Sequence, residues 1–252
     1  MDSYMICATP RTGSTLLCDL LASTNAAGNP NSYFMSEMDP AWAEALGYPV
    51  RARLSDADYA AAMLKAAIKA GKGQTEIFGL RLMRKDLDAL SALIGKVFPG
   101  LPSDKGRLQA AFGRILFIHL AREDKLAQAV SLVKAEQTGL WHVAPDGSEL
   151  ERLAPPREPL YDFDRVAARL AQLEQYEAAW ATWFEQQGIE PLRLGYERLS
   201  INPGEAVSRI CEALGLRQPA PEGLKPGVAK LADAVSLEWM RNYQRDLRAL
   251  SD

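Results

Sequence analysis

The sequence is poor in the residues that build small stapled or metal-bound folds. Its 252 residues include three cysteines, Cys7, Cys18 and Cys211, and two histidines, His119 and His142. An odd, sparse cysteine set without CxxC spacing argues against a disulfide framework and against structural zinc, and it points to a reducing compartment. Burial as apolar thiols is the ordinary fate of such cysteines. An excess of one charge is lacking as well. Lys and Arg total 29 against 32 Asp and Glu, a formal net charge of −3. No global field therefore draws the chain to nucleic acid or to an anionic membrane, and any anion site must be local. No apolar run approaches the roughly 18 residues of a membrane span, and the stretch after Asp2 is too short for a signal peptide. A cytoplasmic protein is expected. With 48% hydrophobic and 24% charged residues, composition excludes disorder and collagen-like repeats. The length suits one large α/β domain or two small ones.

Four short runs rich in apolar or β-branched residues read as strands: Tyr4 to Thr9, Ile77 to Met83, Arg114 to Ala121, and Pro191 to Glu197. Helical pattern separates them. Leu16 to Ser23 follows the first. Leu126, Ala129, Val130 and Val133 fall on one helical face after a capping Asp124, predicting a helix to about Gln137. The longest helical segment runs from Phe163 to about Gln187, with Val166, Leu170, Leu173, Trp180 and Phe184 as a core-facing stripe and Gly188 as a stop. Alternating strands and helices predict an α/β fold with a mainly parallel central sheet covered by helices on both faces. Ligands in such sheets bind outside the carboxyl ends of the strands. Gly100 to Gly106 and the Pro-rich stretch Val143 to Pro159 break the rhythm and read as excursions over the active face or surface loops. No internal repeat, heptad pattern or low-complexity tract is present, so residues 1–252 are expected to form a single domain.

Directly after the first strand stands Ala8-Thr9-Pro10-Arg11-Thr12-Gly13-Ser14-Thr15-Leu16-Leu17, a turn with hydroxyls and one Arg that opens a helix. Backbone N–H groups at a helix N-terminus, with hydroxyls and a guanidinium, surround a phosphate or sulfate well. A Ser/Thr-capped helix with a solvated Arg has the same composition. The nucleotide-triphosphate loop GxxxxGK[ST] is not matched: both its first Gly and its Lys are missing.

Together with GNPNSYF at 28 to 34, FGLRLM at 78 to 83, AREDKLAQAVSL at 121 to 132, QTGLW at 137 to 141 and ADAVSLEW at 232 to 239, this loop resembles the bacterial trehalose 2-sulfotransferase family. The order and spacing match over most of the chain. The resemblance implies the sulfotransferase version of the three-layer P-loop fold. It also implies transfer of a sulfuryl group from 3′-phosphoadenosine 5′-phosphosulfate to a carbohydrate hydroxyl, leaving adenosine 3′,5′-bisphosphate, with no metal. It assigns Arg11, Thr12, Gly13, Ser14 and Thr15 to the phosphosulfate loop, and Arg122 and Ser131 to the 3′-phosphate. A planar guanidinium fork and a hydroxyl suit a terminal phosphate. Lys230 is a further candidate for the nucleotide, although a solvated surface lysine is the ordinary reading of such a residue.

Two departures from the family pattern matter. Ser32 stands where the family places the Glu taken as general base, and a neutral hydroxyl is a poor proton acceptor. Glu37 and His119 are the alternative bases; His119, inside RILFIHLA, also reads as a core or sheet-end histidine. Arg81 stands where the family tends to have Lys, a cation of different reach and geometry. The acceptor is expected near residues 28 to 37, Trp42 and Trp141, whose faces suit sugar rings and read equally as core or dimer residues. The expected partners are therefore a small-molecule acceptor, a sugar by the resemblance, with room for a homodimer and with no nucleic acid or membrane. Beside a sulfotransferase, a catalytically weakened nucleotide-binding relative and a P-loop small-molecule kinase remain open at this stage.

Overall fold

The first strand, β1 (Ser3–Ala8), is buried at every position, as a strand covered on both faces must be. The structure is a computed structural model that describes residues 1–50, 54–217, 227–228 and 233–250. From β1 a tight loop leads into α1 (Ser14–Ser23). Asp39 accepts the Trp42 amide and Pro40 takes the first helical position to start α2 (Pro40–Ala45). Ser55 caps α3 (Asp56–Lys72) in the same way. Next come β2 (Phe78–Met83), a 3₁₀ turn over Arg84–Asp86, and α4 (Leu87–Val97). Then follow α5 (Asp104–Phe112), β3 (Ile115–Ala121) and α6 (Lys125–Thr138), the last capped by Asp124. β4 (Leu140–Val143) and β5 (Glu149–Arg152) precede the long α7 (Phe163–Gln186). β6 (Leu192–Gly195), α8 (Tyr196–Ile201), α9 (Pro203–Leu214) and α10 (Ala234–Ala249) complete the described elements.

The main sheet has the order β2-β1-β3-β6, all parallel. Beyond β2, Asn31 makes a single parallel bridge to Leu80, so the segment at 28 to 34 lies along that edge. Chain order reverses beside β1: the chain goes first to β2 on one side and then to β3 on the other. The crevice between the carboxyl ends of β1 and β3 is where a ligand belongs in such a sheet. Alternation along β1 divides the core. Tyr4, Ile6 and Ala8 pack with α1 and α9, while Met5 and Cys7 pack with α3, α4, α5 and α7. A third cluster, including Val130, Val133, Val166, Leu173 and Trp239, fastens α6, α7 and α10 together. All three cysteines are buried and free. Among the described residues no helix is long and apolar enough to cross a membrane.

The four expected strands and three expected helices are present within two residues of their predicted ends; the last strand stops at Gly195 because α8 begins at Tyr196. Two expectations are corrected. Gly100 to Gly106 contains the start of α5, because Ser103 accepts the Gly106 amide at 3.1 Å and caps a helix that the glycines disguise. Val143 to Pro159 contains an antiparallel hairpin rather than loop alone: β4 and β5 pair across a turn in which Gly147 takes φ +85° and the Ala144 amide bonds the Ser148 carbonyl. Four-residue strands flanked by prolines carry too little alternation to be seen in sequence.

Candidate active site

The loop after β1 is held by buried polar groups. Trp180 of α7 donates its indole N–H to the Ala8 carbonyl at 3.0 Å. Gln128 of α6, fully buried, donates to Thr9 Oγ1 at 2.9 Å and to the Pro10 carbonyl at 2.6 Å. Thr12 donates to the Thr9 carbonyl at 2.9 Å and closes the turn. Arg11 and Gly13 both take left-handed backbone, φ +65° and +78°. Such strain in a non-glycine residue persists only where the surroundings impose it. Gly13 is required doubly, since a Cβ there would stand 2.6 Å from the Tyr196 ring. No side chain caps the N-terminus of α1, so its first-turn N–H groups and the positive end of its dipole are left for an anion.

Three guanidiniums converge on this helix start. Arg11 donates through Nε to Ser131 Oγ at 3.0 Å and through Nη1 to the Trp141 carbonyl at 2.7 Å. Arg122, just past β3, lies over the Tyr196 ring at 4.5 Å and donates to the Arg11 carbonyl at 3.4 Å. Arg81, near the end of β2, donates to Thr15 Oγ1 at 2.6 Å, Ser32 Oγ at 2.9 Å and Asn31 Oδ1 at 3.4 Å. Among the described residues none of the three is ion-paired with a carboxylate. Burial and the nearby Arg122 push Arg11 down to about 10, so it remains a cation at neutral pH. Three half-buried cations with no carboxylate in ion-pair contact are costly unless an anion joins them.

These groups face a cavity of about 540 Å³ at the carboxyl ends of the strands. Of the residues expected to form the site, Arg11, Gly13, Ser14, Thr15, Ser32, Glu37, Arg81, Arg122 and Ser131 all line it. Thr12 does not; it is buried beneath as a turn former. His119 does not either. It points to the α7 side of the sheet, 2.8 Å from Glu177 and 3.2 Å from Arg193, with its ring against Phe184. It is the core histidine of its two readings, because its strand position faces the same layer as Phe117 rather than the strand ends. Lys230 lies outside the described residues. Trp141 lines the cavity, whereas Trp42 packs against the core and donates to the Ser32 carbonyl at 3.3 Å.

Sequence reasoning missed several contributors. His142 and Glu151 reach the cavity from the hairpin β4–β5, and Leu237 and Met240 from α10. His142 Nε2 stands 3.2 Å from Thr15 Oγ1 and 3.4 Å from Glu151 Oε2. Burial, then Arg11 and Arg81, push its pKa down to about 4, so the ring is neutral at physiological pH. Gln128 was within reach of a sequence reading: it lies on the buried face of the helix beginning at Lys125, where a fully buried amide must find partners. Nothing in the sequence marked the hairpin pair.

The family model for Stf0 sulphotransferase matches residues 3–246. The chain belongs to this sulfotransferase family. It is 30% identical over 265 residues to a trehalose 2-sulfotransferase of Mycolicibacterium smegmatis, covering 97% of this chain and 95% of the relative. It is 27% identical over 266 residues to the enzyme of the same name from Mycobacterium tuberculosis, covering 96% and 94%. Among solved structures, the sulfotransferase domain of the Synechococcus PCC 7002 olefin synthase aligns with a TM-score of 0.50 at 16% identity, over 93% of this chain and 82% of that one; this likeness supports the fold. Ser32 gives its hydroxyl oxygen to Arg81, so the segment along the β2 edge carries a cation-bound hydroxyl where the resembled pattern has a carboxylate.

Proposed function

We propose that this sulfotransferase takes its sulfuryl group from 3′-phosphoadenosine 5′-phosphosulfate and passes it to a hydroxyl of a small carbohydrate or related metabolite. The observation that carries the reading is the convergence of Arg11, Arg81 and Arg122, without carboxylate partners, on the uncapped start of α1. The donor set fits a nucleotide with anionic groups at two places. The α1 amides, Thr15, Arg11 and Arg81 would hold the phosphosulfate, and Arg122 with Ser131 the 3′-phosphate. The donor supplies an activated sulfur–oxygen bond whose leaving group is a phosphate. Sulfuryl transfer resembles phosphoryl transfer in placing charge on that leaving oxygen, so fixed N–H donors and guanidiniums aimed at it lower the barrier. The acceptor side lies between the edge carrying Ser32 and Glu37 and the wall carrying Trp141. The two mycobacterial relatives are named for trehalose, which supports a sugar acceptor. The absence of a carboxylate at Ser32 favours, as second reading, a nucleotide-binding relative with weakened turnover.

Adenosine 3′,5′-bisphosphate is the discriminating ligand. A ligand that binds only the folded state stabilises by about 2.7 kcal/mol at a hundredfold excess over Kd, a rise in Tm of roughly 5–10 °C for a chain of this size. AMP and ATP at equal concentration should give much less. Arg11→Ala should weaken bisphosphate binding by about 10–100-fold, the equivalent of a lost charge-assisted contact of ~1.5–3 kcal/mol, with the unliganded Tm little changed. Equal stabilisation by AMP, or unaltered bisphosphate affinity in Arg11→Ala, contradicts the proposed donor site. Both readings share this donor site, and turnover separates them.

A further inference from the structure

The acceptor proton needs a destination that Ser32 does not offer. Its Oγ accepts from Arg81 Nε at 2.9 Å, and a hydroxyl beside a guanidinium is no base. Glu37 lines the cavity but is exposed and makes no hydrogen bond to another described residue. It is not positioned as a proton acceptor should be. His119 is committed to Glu177 and Arg193 on the far side of the sheet's core.

Two other carboxylates that line the cavity are engaged with the chain itself: Asp86 accepts from the Ser36 amide at 2.9 Å and its hydroxyl at 2.8 Å, and Asp124 caps α6. His142 is a base by chemistry and is fixed in place. His142 lies on β4, and the register of the hairpin sets it directly across from Glu151 on β5. Its Nε2 is 3.2 Å from Thr15 Oγ1 and 3.4 Å from the Glu151 carboxylate. Thr15 Oγ1 in turn accepts from Arg81 Nη1 at 2.6 Å. The imidazole is therefore one hydroxyl away from the cation that faces the group in transfer, and a carboxylate stands ready for the charge it would gain. Extending the donor site proposed above, we propose that His142 is the general base of the reaction, held and charge-balanced by Glu151, in place of the carboxylate missing at Ser32.

With Nε2–H turned to Thr15 or Glu151, Nδ1 carries the lone pair, and it makes no hydrogen bond to another described residue. The step balances simply. The acceptor oxygen forms the new bond to sulfur, the bond from sulfur to the phosphate oxygen breaks with its pair on the phosphate, and the acceptor proton passes to Nδ1. The imidazolium beside Glu151 then gives the proton to water when the products leave. The charged groups set against the ring are Arg11 from the loop after β1, Arg81 from β2 and Glu151 from β5. Burial first, and then the two arginines, hold the ring neutral before the donor arrives. Anionic donor groups beside the arginines offset their part of that effect, so basicity rises when it is needed.

The chain has two histidines, which makes ring NMR decisive; the resonances missing in His142→Gln are those of His142. In wild type, saturating adenosine 3′,5′-bisphosphate should raise the titration midpoint of His142 by about one pH unit or more and leave His119 in place. His142→Gln should bind the bisphosphate within about threefold of wild type. It should lower transfer from labelled donor, to trehalose or to water, by about 10²-fold or more. Glu151→Gln should move the acidic limb of the pH–rate profile downward, an effect that a merely structural role for the pair would not produce. The proposal is overturned by a His142 midpoint indifferent to bound bisphosphate. Transfer by His142→Gln within threefold of wild type, or a 10²-fold loss confined to Glu37→Gln, overturns it equally. Failure of wild type to bind the bisphosphate at all refutes the donor site itself, and is read separately by the same titration.

Discussion

Replacing Arg81 by Gln is expected to lower sulfuryl transfer by about 10²–10³-fold, the usual loss when one fixed donor to a developing charge is removed. The structural reason is its place. Arg81 projects from β2 into the cavity and ties together Thr15 at the start of α1 and Ser32 and Asn31 of the segment along the β2 edge. Under the proposed function, it is the one guanidinium among the described residues that bonds both the donor side and the acceptor side. Arg122 and Ser131 lie across the cavity on the β3 and α6 side, so bisphosphate affinity should fall less than turnover, by about tenfold or less. Arg81→Lys keeps the charge and loses the fork; since the resembled family tends to place Lys here, it should recover much of the lost rate. Steady-state kinetics with labelled donor, alongside bisphosphate titrations, separates these effects. A Gln variant that loses affinity and turnover in equal measure would reduce Arg81 to a binding residue.

Trp180→Ala should destabilise the fold by about 3–5 kcal/mol, the cost of emptying a large aromatic site in a close-packed core. Trp180 has no solvent exposure, stacks on Phe184 at 5.6 Å and meets Trp183 edge-on at 5.5 Å. Its indole N–H also holds the Ala8 carbonyl, the last residue of β1 before the anion loop. The loss is a large part of the roughly 5–15 kcal/mol available to an ordinary protein, and Tm should drop by roughly 6–20 °C. Trp180→Phe refills most of the volume but leaves that carbonyl unpaired, an expected cost of about 1–3 kcal/mol. Urea unfolding of the two variants reads both figures. A loss below 1 kcal/mol for the Ala variant would mean that α7 does not brace the sheet as described.

The parts legible in the sequence were those with a local signature. β1 and β3 are apolar runs bounded by turn residues, α6 shows helical spacing behind a capping Asp, and α7 shows it ahead of a glycine stop. The anion loop is contiguous, so its chemistry is visible in ten residues. What escaped depends on distance. His142 and Glu151 are nine positions apart and become neighbours only through the register of a hairpin too short to show alternation. His119 was visible as a histidine near a strand end, but which layer it faces follows from the pairing of β3 with β1 and β6 and from Glu177, which α7 brings up from 58 positions away. Helix α5 is hidden in the sequence by its own glycines, and its cap is the Ser103 hydroxyl, which accepts the Gly106 amide.

The central claim is that the three-guanidinium cradle serves sulfuryl transfer to a hydroxyl. The most direct measurement is to incubate the protein with isotopically labelled 3′-phosphoadenosine 5′-phosphosulfate and a panel of sugars and small alcohols, trehalose included, and to read the products by mass. The account predicts an acceptor bearing one labelled sulfuryl group, formed together with an equal amount of adenosine 3′,5′-bisphosphate and abolished or nearly so in Arg81→Gln. Tight bisphosphate binding with no labelled product from any acceptor would contradict it, and would leave a protein that holds the nucleotide without performing the transfer.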